Sequence, residues 1–206
     1  MKRILLVFLA VIVILSAGCG PNEEQAAQAR ELVRGNWSGD VFTTEFAGLR
    51  FNMPSGWIAG TDEEIAELTG VAAGELSERG MKVSEKMLEL TTIYDMAATN
   101  MQTGSSVMLM YENLSMHIGG NRLTETQYLE GVMELLEETG LGYTFTSGVE
   151  ESSLAGETYM MLQGEISDFG ISQSYHVKKI ENFMVAIIVT IMDPGDSGIL
   201  SNFARA

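Results

Sequence analysis

Basic residues are scarce in this 206-residue chain, which has 12 Lys and Arg against 28 Asp and Glu and a formal net charge of −16. Nucleic-acid binding depends on clustered Lys and Arg that neutralise phosphates, so this balance argues against a nucleic-acid partner. It argues equally against a polybasic patch that would bind a membrane surface. The excess of acid favours solubility and permits cationic partners.

Cysteine and histidine are almost absent. Cys19 is the one cysteine, so the chain cannot form an internal disulfide. The two histidines, His117 and His176, lack the H-x-x-H or H-x-H spacing that presents paired metal ligands, although a site built on both remains an open alternative. We interpret His176 as a polar-face residue of a strand and His117 as a loop residue. The sequence also has no glycine-rich phosphate loop, and we expect no cofactor.

The first twenty residues, MKRILLVFLAVIVILSAGCG, predict a secretion signal. Lys2 and Arg3 form a positive start, and residues 4–15 are an uninterrupted apolar run of twelve. That length is typical of a signal peptide and falls short of the roughly 20 residues that cross a bilayer. An ordinary cleaved signal and a retained membrane anchor are the alternatives to a lipoprotein leader.

The sequence LSAGC at residues 15–19 resembles the lipobox of bacterial lipoproteins, with Ser16, Ala17 and Gly18 directly before Cys19. The departure is Ser16, where leucine is commoner. The resemblance implies that the Cys19 thiol receives a diacylglycerol group and that the leader is cleaved before it. Two or more acyl chains hold a protein on a membrane far more firmly than one. We therefore expect an extracytoplasmic protein that is anchored to the cell membrane through lipid on Cys19.

The chain is expected to have three parts: a lipoprotein signal peptide at 1–18, a lipidated Cys and tether at 19–38, and a folded body at 39–206. Within the tether, residues 23–33 have good helix formers but a thin apolar stripe, so a short helix and a disordered linker are both open. Hydrophobic residues make up 46% of the whole chain, a composition that is typical of a packed globular protein.

Strand and helix patterns alternate through the body. Alternating apolar residues predict hairpins around Gly48 and Gly104, and a run that is apolar on both faces at 183–192 predicts a central strand. Capping boxes at Thr61 and Thr124 predict the starts of two helices. Further strands are predicted at 143–149, 157–166 and 171–180, and a short helix is predicted after residue 192. These elements imply an α+β fold, a mostly antiparallel sheet flanked by helices in an αβα sandwich.

The strand that ends in FNMPSGW, residues 51–57, is followed by a capped acidic helix. This F-x-x-P-x-x-W pattern and the later order of elements resemble the Mog1/PsbP-like fold, over roughly residues 40–203, as in small lipoproteins of Gram-positive bacteria. The resemblance carries no catalytic residues. It implies a non-enzymatic binding or assembly protein, because better-known relatives include an extrinsic photosystem subunit and a partner of a small GTPase.

The motif GDSG at residues 195–198 resembles the nucleophile segment of chymotrypsin-like proteases, but Ile199 replaces the next glycine and only eight residues follow. We interpret residues 193–197 as helix-start residues. Acidic groups at Glu63, Glu64 and Glu67 and at Glu134, Glu137 and Glu138 lack the calcium-loop pattern and indicate solvated helix faces. Fourteen methionines, among them Met108, Met110, Met160 and Met161, suit core filling better than Cu(I) binding.

The leading hypothesis is therefore a non-catalytic module that binds a protein or a small molecule of unknown identity. Two alternatives from other classes are a hydrolase whose site is assembled from scattered residues and a cation-binding protein. A base within hydrogen-bond distance of a nucleophile in a pocket would favour the hydrolase.

Overall fold

The computed structural model of the chain describes residues 31–69, 79–80, 82–83, 88, 90–117 and 119–206. Within these residues, twelve strands form two antiparallel sheets. The strands are β1 (Asn36–Ser38), β2 (Val41–Thr44), β3 (Leu49–Asn52), β4 (Trp57–Ala59), β5 (Thr92–Asn100), β6 (Ser106–Asn113), β7 (Tyr143–Phe145), β8 (Glu150–Leu154), β9 (Glu157–Ile166), β10 (Ile171–Ile180), β11 (Phe183–Ile191) and β12 (Phe203–Arg205). The α-helices are α1 (Asp62–Thr69) and α2 (Glu125–Glu138).

The larger sheet has eight strands in the order β4-β5-β6-β11-β10-β9-β7, with β8 also paired to β9. Strand β11 lies in the middle, as its doubly apolar sequence predicts, and its residues are buried almost throughout. The hairpin predicted around Gly104 is formed by β5 and β6, which pair from Thr92↔Glu112 to Thr99↔Ser106. Strand β8 has no counterpart among the sequence predictions.

The smaller sheet has the order β1-β2-β3-β12. The hairpin predicted around Gly48 is formed by β2 and β3, with Val41 opposite Asn52. The short helix predicted after residue 192 is present in 3-10 rather than α geometry, and it ends before Phe203. Two 3-10 turns occupy Pro194–Asp196 and Ile199–Asn202, and the chain then forms β12, where Phe203 lies opposite Phe51 of β3. The Phe203 and Phe51 rings, whose centroids are 4.8 Å apart, pack together and stabilise this last strand.

The two faces of the larger sheet are covered differently. Helix α2 packs on one face and buries Leu129, Val132 and Leu136 against it. The other face packs against the smaller sheet, whose Phe42 and Phe51 point into a second core. The fold is thus α+β with a mostly antiparallel sheet, as predicted, but it is more dominated by sheet than the helix-flanked sandwich expected from the sequence. Apolar and polar residues alternate in β2 and β3, which gives the smaller sheet one apolar face. This face is buried against the larger sheet.

Local sequence explains where the two helices begin. The Thr61 hydroxyl accepts the Glu64 N–H at 3.2 Å, and the Glu64 carboxylate accepts the Thr61 N–H at 2.8 Å. Thr124 and Gln127 form the same reciprocal pair at the start of α2. Both capping boxes were predicted, and each satisfies backbone donors that a helix start leaves open.

The segment Pro54–Trp57 carries the chain from the smaller sheet to the edge of the larger one. Strand β3 ends before Pro54, which has no N–H to give to a ladder. Gly56 has a positive φ of 86°, and the Trp57 N–H then donates to the Pro54 carbonyl. Trp57 opens β4 opposite Asn100 and is buried in the core between the sheets.

The body of the fold includes residues before β1. Leu32 and Arg34 are buried, and Val33 forms an isolated bridge with Lys82. The structure thus packs residues 32–38, in the segment that the sequence assigns to the tether, against the sheets. None of the helices in the described part of the chain is long and apolar enough for a membrane span.

Candidate functional site

Asp95 lies at a β-bulge in β5 and is buried inside the protein. Tyr94 lies opposite Met110 and Met96 lies opposite Leu109, so Asp95 is an extra residue in the strand. Its side chain has no exposed surface. Bulges interrupt the regular alternation of a strand, and here Asp95 and Met96, although adjacent, are both buried, Met96 in the core between the two sheets.

Two arginines surround this carboxylate. The Nε atom of Arg34 and the Nη1 atom of Arg79 each lie 3.7 Å from Asp95 Oδ1. Both guanidinium groups also donate to Asp62 Oδ1 at the start of α1, Arg34 at 2.9 Å and Arg79 at 2.8 Å. Arg79 further donates to the Asp95 backbone carbonyl at 2.9 Å. Among the described residues, two cations and two anions therefore meet in one largely buried cluster.

Neutral groups complete the coordination of Asp95. The Gly35 N–H donates to both carboxylate oxygens, and the Tyr111 hydroxyl donates to Oδ2 at 3.0 Å. Burial raises the pKa of Asp95, while the Gly35 N–H and the two guanidinium groups oppose that rise. Burial acts in the same direction on Asp62, but there the Arg34 hydrogen bond and the Arg79 charge outweigh it and hold the pKa below its usual range. Burial raises the pKa of Tyr111 well above its usual value, so its hydroxyl stays protonated.

We call Arg34, Gly35, Asp62, Arg79 and Asp95 the N-terminal clasp. It joins the segment before β1 to α1 and to β5. Each carboxylate in it faces two guanidinium groups, so its geometry suits holding the chain rather than reacting with a substrate. Sequence reasoning missed these residues. The signal that could have found Asp95 was the shift in alternation within TIYDMAATN, where the buried positions change from Ile93 to Met96 and Ala98.

A second buried carboxylate lies at the end of β6. His117 Nε2 is 3.0 Å from Glu112 Oε1, and the Thr92 hydroxyl donates to Oε2 at 3.0 Å. Burial raises the pKa of Glu112, and the hydrogen bond with His117 opposes the rise. His117 follows a 3-10 turn, so the loop assignment made from the sequence is correct. Its contact with Glu112 was not foreseen, and it fixes the loop to the sheet.

Two tyrosines lie near this pair. The Tyr128 hydroxyl is buried and has no hydrogen-bond partner among the described residues. Burial and then the charge of Glu112 raise the pKa of Tyr128 well above its usual value, and the same causes raise the pKa of Tyr94. Both hydroxyls are therefore neutral. The end of α2 nearest Glu112 holds a polar group that the described fold leaves unsatisfied.

His176 lies on the opposite face of the sheet from Tyr175, which packs with α2. Its Nδ1 atom is 3.1 Å from the Ser152 hydroxyl, and its Nε2 atom is 3.1 Å from the Ser174 hydroxyl. Burial lowers the pKa of His176 to about 4. The Ser152 contact has the distance expected between a nucleophile and a base, but effective general bases have a pKa near the working pH. A catalytic triad would also place a carboxylate where Ser174 lies.

The two histidines do not share a site, because His117 pairs with Glu112 and His176 lies between two serines. In the part of the chain that the structure describes, no group of three or more His, Cys, Asp or Glu side chains is arranged to hold a metal ion.

The GDSG motif forms part of a turn. Asp193 caps the 3-10 turn by accepting the Gly195 N–H at 2.7 Å, and Pro194 takes its first position. Asp196 accepts hydrogen bonds from Thr103 and Asn100 and so fixes this turn to the β5–β6 connection. The interpretation of residues 193–197 as helix-start residues is confirmed for a 3-10 turn.

The remaining candidate groups have structural positions. Met108 and Met110 are buried and Met160 and Met161 are half-buried, in line with core filling. The two acidic groups predicted as solvated helix faces are exposed, one on α1 and one on α2. They comprise Glu63, Glu64, Glu67, Glu134, Glu137 and Glu138. The leader and the predicted lipidation residue Cys19 lie outside the described residues.

No protein-family model and no curated protein matches the sequence. Among solved structures, the chain is similar to the solution structure of cyanobacterial PsbP (CyanoP) from Synechocystis sp. PCC 6803. The TM-score is 0.46 at 10% sequence identity, and the match covers 92% of this chain and 98% of that one.

Proposed function

We propose that the chain is a lipid-anchored extracytoplasmic module that binds or assembles with another molecule and catalyses no reaction. The observation that supports the lipid anchor is the LSAGC sequence at residues 15–19, at the end of a leader with a basic start and a twelve-residue apolar run. In this proposal residues 1–18 are removed, Cys19 carries the lipid, and the residues after it connect the membrane to the body.

The N-terminal clasp supports an anchored body. Twelve residues lie between Cys19 and Leu32, the first buried residue of the described chain, and the thirteen steps along the chain would reach at most about 45 Å when fully extended. From Arg34 onward the chain is held by ion pairs to Asp62 and Asp95. A force on the lipid is thus transmitted to the centre of the fold through the ion pairs of Arg34 with Asp62 and Asp95.

The chemistry of the buried polar groups supports a binding role rather than catalysis. Asp95 is surrounded by donors, and Glu112 is engaged by His117 and Thr92. His176 has a pKa of about 4, which leaves it a weak proton acceptor at neutral pH.

Replacement of Cys19 by alanine tests the anchor. In cells that are fed a labelled fatty acid, we expect Cys19→Ala to lose the label and to leave the membrane fraction or retain an uncleaved leader. Ser16→Ala is the matched control, because it exchanges one small residue for another beside the same cysteine and should keep both properties. An acyl label that persists in Cys19→Ala, or a wild-type chain in the cytosol with its leader intact, would contradict the proposal.

The contact between Ser152 and His176 favours a second candidate, a serine-dependent hydrolase. A fluorophosphonate probe tests it directly, since such probes label activated serines. Labelling of the wild-type chain that disappears in Ser152→Ala and persists in Ser174→Ala would establish the hydrolase and overturn the non-catalytic proposal.

A further inference from the structure

The carboxylate of Glu112 is largely buried at the end of β6. Its two oxygens contact the Thr92 hydroxyl and the His117 Nε2 atom, each at 3.0 Å. Among the described residues, no Lys or Arg forms an ion pair with it. Buried carboxylates are ordinarily paired with a charged group, because an uncompensated charge is costly away from water. A cation beside Glu112 would therefore be stabilising.

The Tyr128 hydroxyl is a second and independent indication of a ligand. Tyr128 lies near the start of α2, and its hydroxyl is buried without a hydrogen-bond partner in the part of the chain that the structure describes. Nearly all buried polar groups in folded proteins are hydrogen-bonded, so an unpartnered one calls for a physical reason. A bound molecule that engages this hydroxyl would be such a reason.

Strand register places Tyr94 beside the same carboxylate. Thr92 lies opposite Glu112 in the β5–β6 pair, and Tyr94 lies opposite Met110. Tyr94 is thus the diagonal neighbour of Glu112 on one face of the sheet, and such neighbours are roughly 7–8 Å apart. Tyr94 and Tyr128 both pack against the core between this face and α2. After burial, the charge of Glu112 is the next cause of the raised pKa of both tyrosines, so the carboxylate acts on both side chains.

Lys179 lies in the same row of the sheet but does not neutralise Glu112. It lies opposite Met184, which in turn lies opposite Glu112, so two strand spacings of about 4.8 Å separate the two backbones. The Lys179 ammonium donates to the carbonyls of Asn121 and Leu123 at 2.7 and 3.0 Å. Its charge is thus taken up by the turn before α2.

The Glu112 carboxylate lies close to the protein surface. The side chains of Glu112 and His117 are 9% and 14% exposed. Met116, the residue before His117, is 47% exposed, and Tyr94 is half-buried. A small solute can therefore approach this carboxylate from the solvent.

We infer that Glu112, Tyr94 and Tyr128 bind the primary ammonium group of a small organic amine, and we call these three residues the amine site. A primary ammonium has three N–H donors, and the three side chains offer a carboxylate and two hydroxyl oxygens as acceptors. Its charge would compensate Glu112, whereas a water molecule would leave that charge uncompensated, and the two rings add aromatic surface for a cation. The inference names the ligand class of the proposed binding module and rests on that function in this respect alone.

Thermal unfolding of the purified full chain tests this inference. Tryptophan fluorescence follows the transition in an uncharged detergent, which suits the chain with or without lipid. The probe is ethylammonium chloride, compared at equal ionic strength with sodium chloride and with tetramethylammonium chloride, which has no N–H. We expect ethylammonium alone to raise the midpoint saturably, by about 3–6 °C at ten times its dissociation constant.

Two tyrosine variants separate binding from stability. Tyr128→Phe removes the unpartnered hydroxyl, so it should raise the midpoint of the ligand-free protein and weaken the binding of ethylammonium several-fold. Tyr175→Phe removes a hydroxyl that donates to Gln173, so it should lower the midpoint and leave the affinity within twofold of the wild type. A purely structural Tyr128 would not combine higher stability with weaker binding.

Two charge variants complete the test. Glu112→Gln keeps the shape of the side chain and removes its charge, so it should weaken binding at least tenfold. Glu134→Gln removes an exposed carboxylate from α2 and should bind within twofold of the wild type. No saturable shift with ethylammonium, an equal shift with either comparison salt, unchanged affinity in Tyr128→Phe, or equal losses in the two charge variants would overturn the inference. None of these readouts depends on lipid at Cys19, so a failed amine site and a failed anchor are distinguishable.

Discussion

Gly35 donates its backbone N–H to the carboxylate of Asp95, 60 residues further along the chain, at 2.8 Å to Oδ2 and 3.1 Å to Oδ1. The bond connects the last part of the predicted tether to a bulge in the larger sheet. Because the donor is a backbone group, the contact depends on the path of the chain as well as on the carboxylate. It makes residues 32–38 an integral part of the body.

Asp95→Asn is expected to destabilise the protein by about 3–5 kcal/mol at neutral pH. The amide has nearly the same shape but removes one of the two carboxylates that pair with Arg34 and Arg79 among the described residues. Equilibrium denaturation in urea measures the free energy of unfolding. Asp40→Asn, at an exposed position, serves as the control and should change it by less than about 0.5 kcal/mol. A loss below about 1 kcal/mol for Asp95→Asn would contradict the clasp's contribution to stability.

Gly35→Ala and Gly131→Ala should change stability in opposite directions. A Cβ at Gly35 would lie 2.0 Å from the Cζ atom of Phe42, a ring buried in the core, so we expect a loss of about 1–3 kcal/mol. Gly131 is exposed on α2 with nothing within 4 Å of the place that a Cβ would take, and alanine there should add about 1 kcal/mol. Thermal denaturation of the two variants beside the wild type measures whether Gly35→Ala lowers the stability and Gly131→Ala raises it. A stabilised Gly35→Ala would show that Phe42 moves freely.

Much of the fold could be predicted because it depends on local chemistry. The capping boxes at Thr61 and Thr124 identify both described α-helices, and the stop at Pro54 follows from a missing N–H. The last strand could not be predicted, since Phe203 forms β12 only by pairing with Phe51, far away in sequence. A similar limit applies to the β10–β11 turn, where Glu181 rather than the more tolerant Asn182 takes the positive φ.

The buried polar contacts were beyond sequence reasoning for a related reason. Asp95 follows buried Ile93 by two residues on the same strand, but the groups that compensate its charge come from other segments. Arg79 reaches it from another part of the chain, and no spacing rule connects the two residues. The assignment of His176 to a strand face opposite Tyr175 followed from alternation, whereas its contact with Ser152 depends on β8. Contacts within a strand are visible in sequence, and contacts between distant segments are not.

Stability should depend on pH through His176. Burial lowers its pKa to about 4 from the ordinary value of 6.5, so between these values the unfolded chain binds a proton that the native protein does not. Stability is therefore lost as the pH falls from about 6.5 to 4, by on the order of 3 kcal/mol from this group. His176→Gln removes that part of the pH dependence. Unfolding free energies at pH 7 and about 4.5 give the difference, which should be smaller in the variant than in the wild type.

The second histidine provides the control for this measurement. His117 contacts Glu112 rather than Ser152 and Ser174, so the contribution of His176 should persist in His117→Gln. A wild-type chain and His176→Gln with the same dependence on pH would show that the His176 imidazole is accessible to protons in the native state.

Tyr128→Phe should stabilise the protein by about 1 kcal/mol, because the hydroxyl is buried without a partner among the described residues and an unsatisfied polar group is costly. Tyr175→Phe is the matched comparison, since its hydroxyl donates to Gln173 Oε1 and its removal should cost about 1 kcal/mol. Urea denaturation of both variants at the same pH measures the two changes. A destabilised Tyr128→Phe would mean that the hydroxyl has a partner near Glu112. In that case the end of α2 beside Glu112 and His117 would be the place to look for a bound polar group.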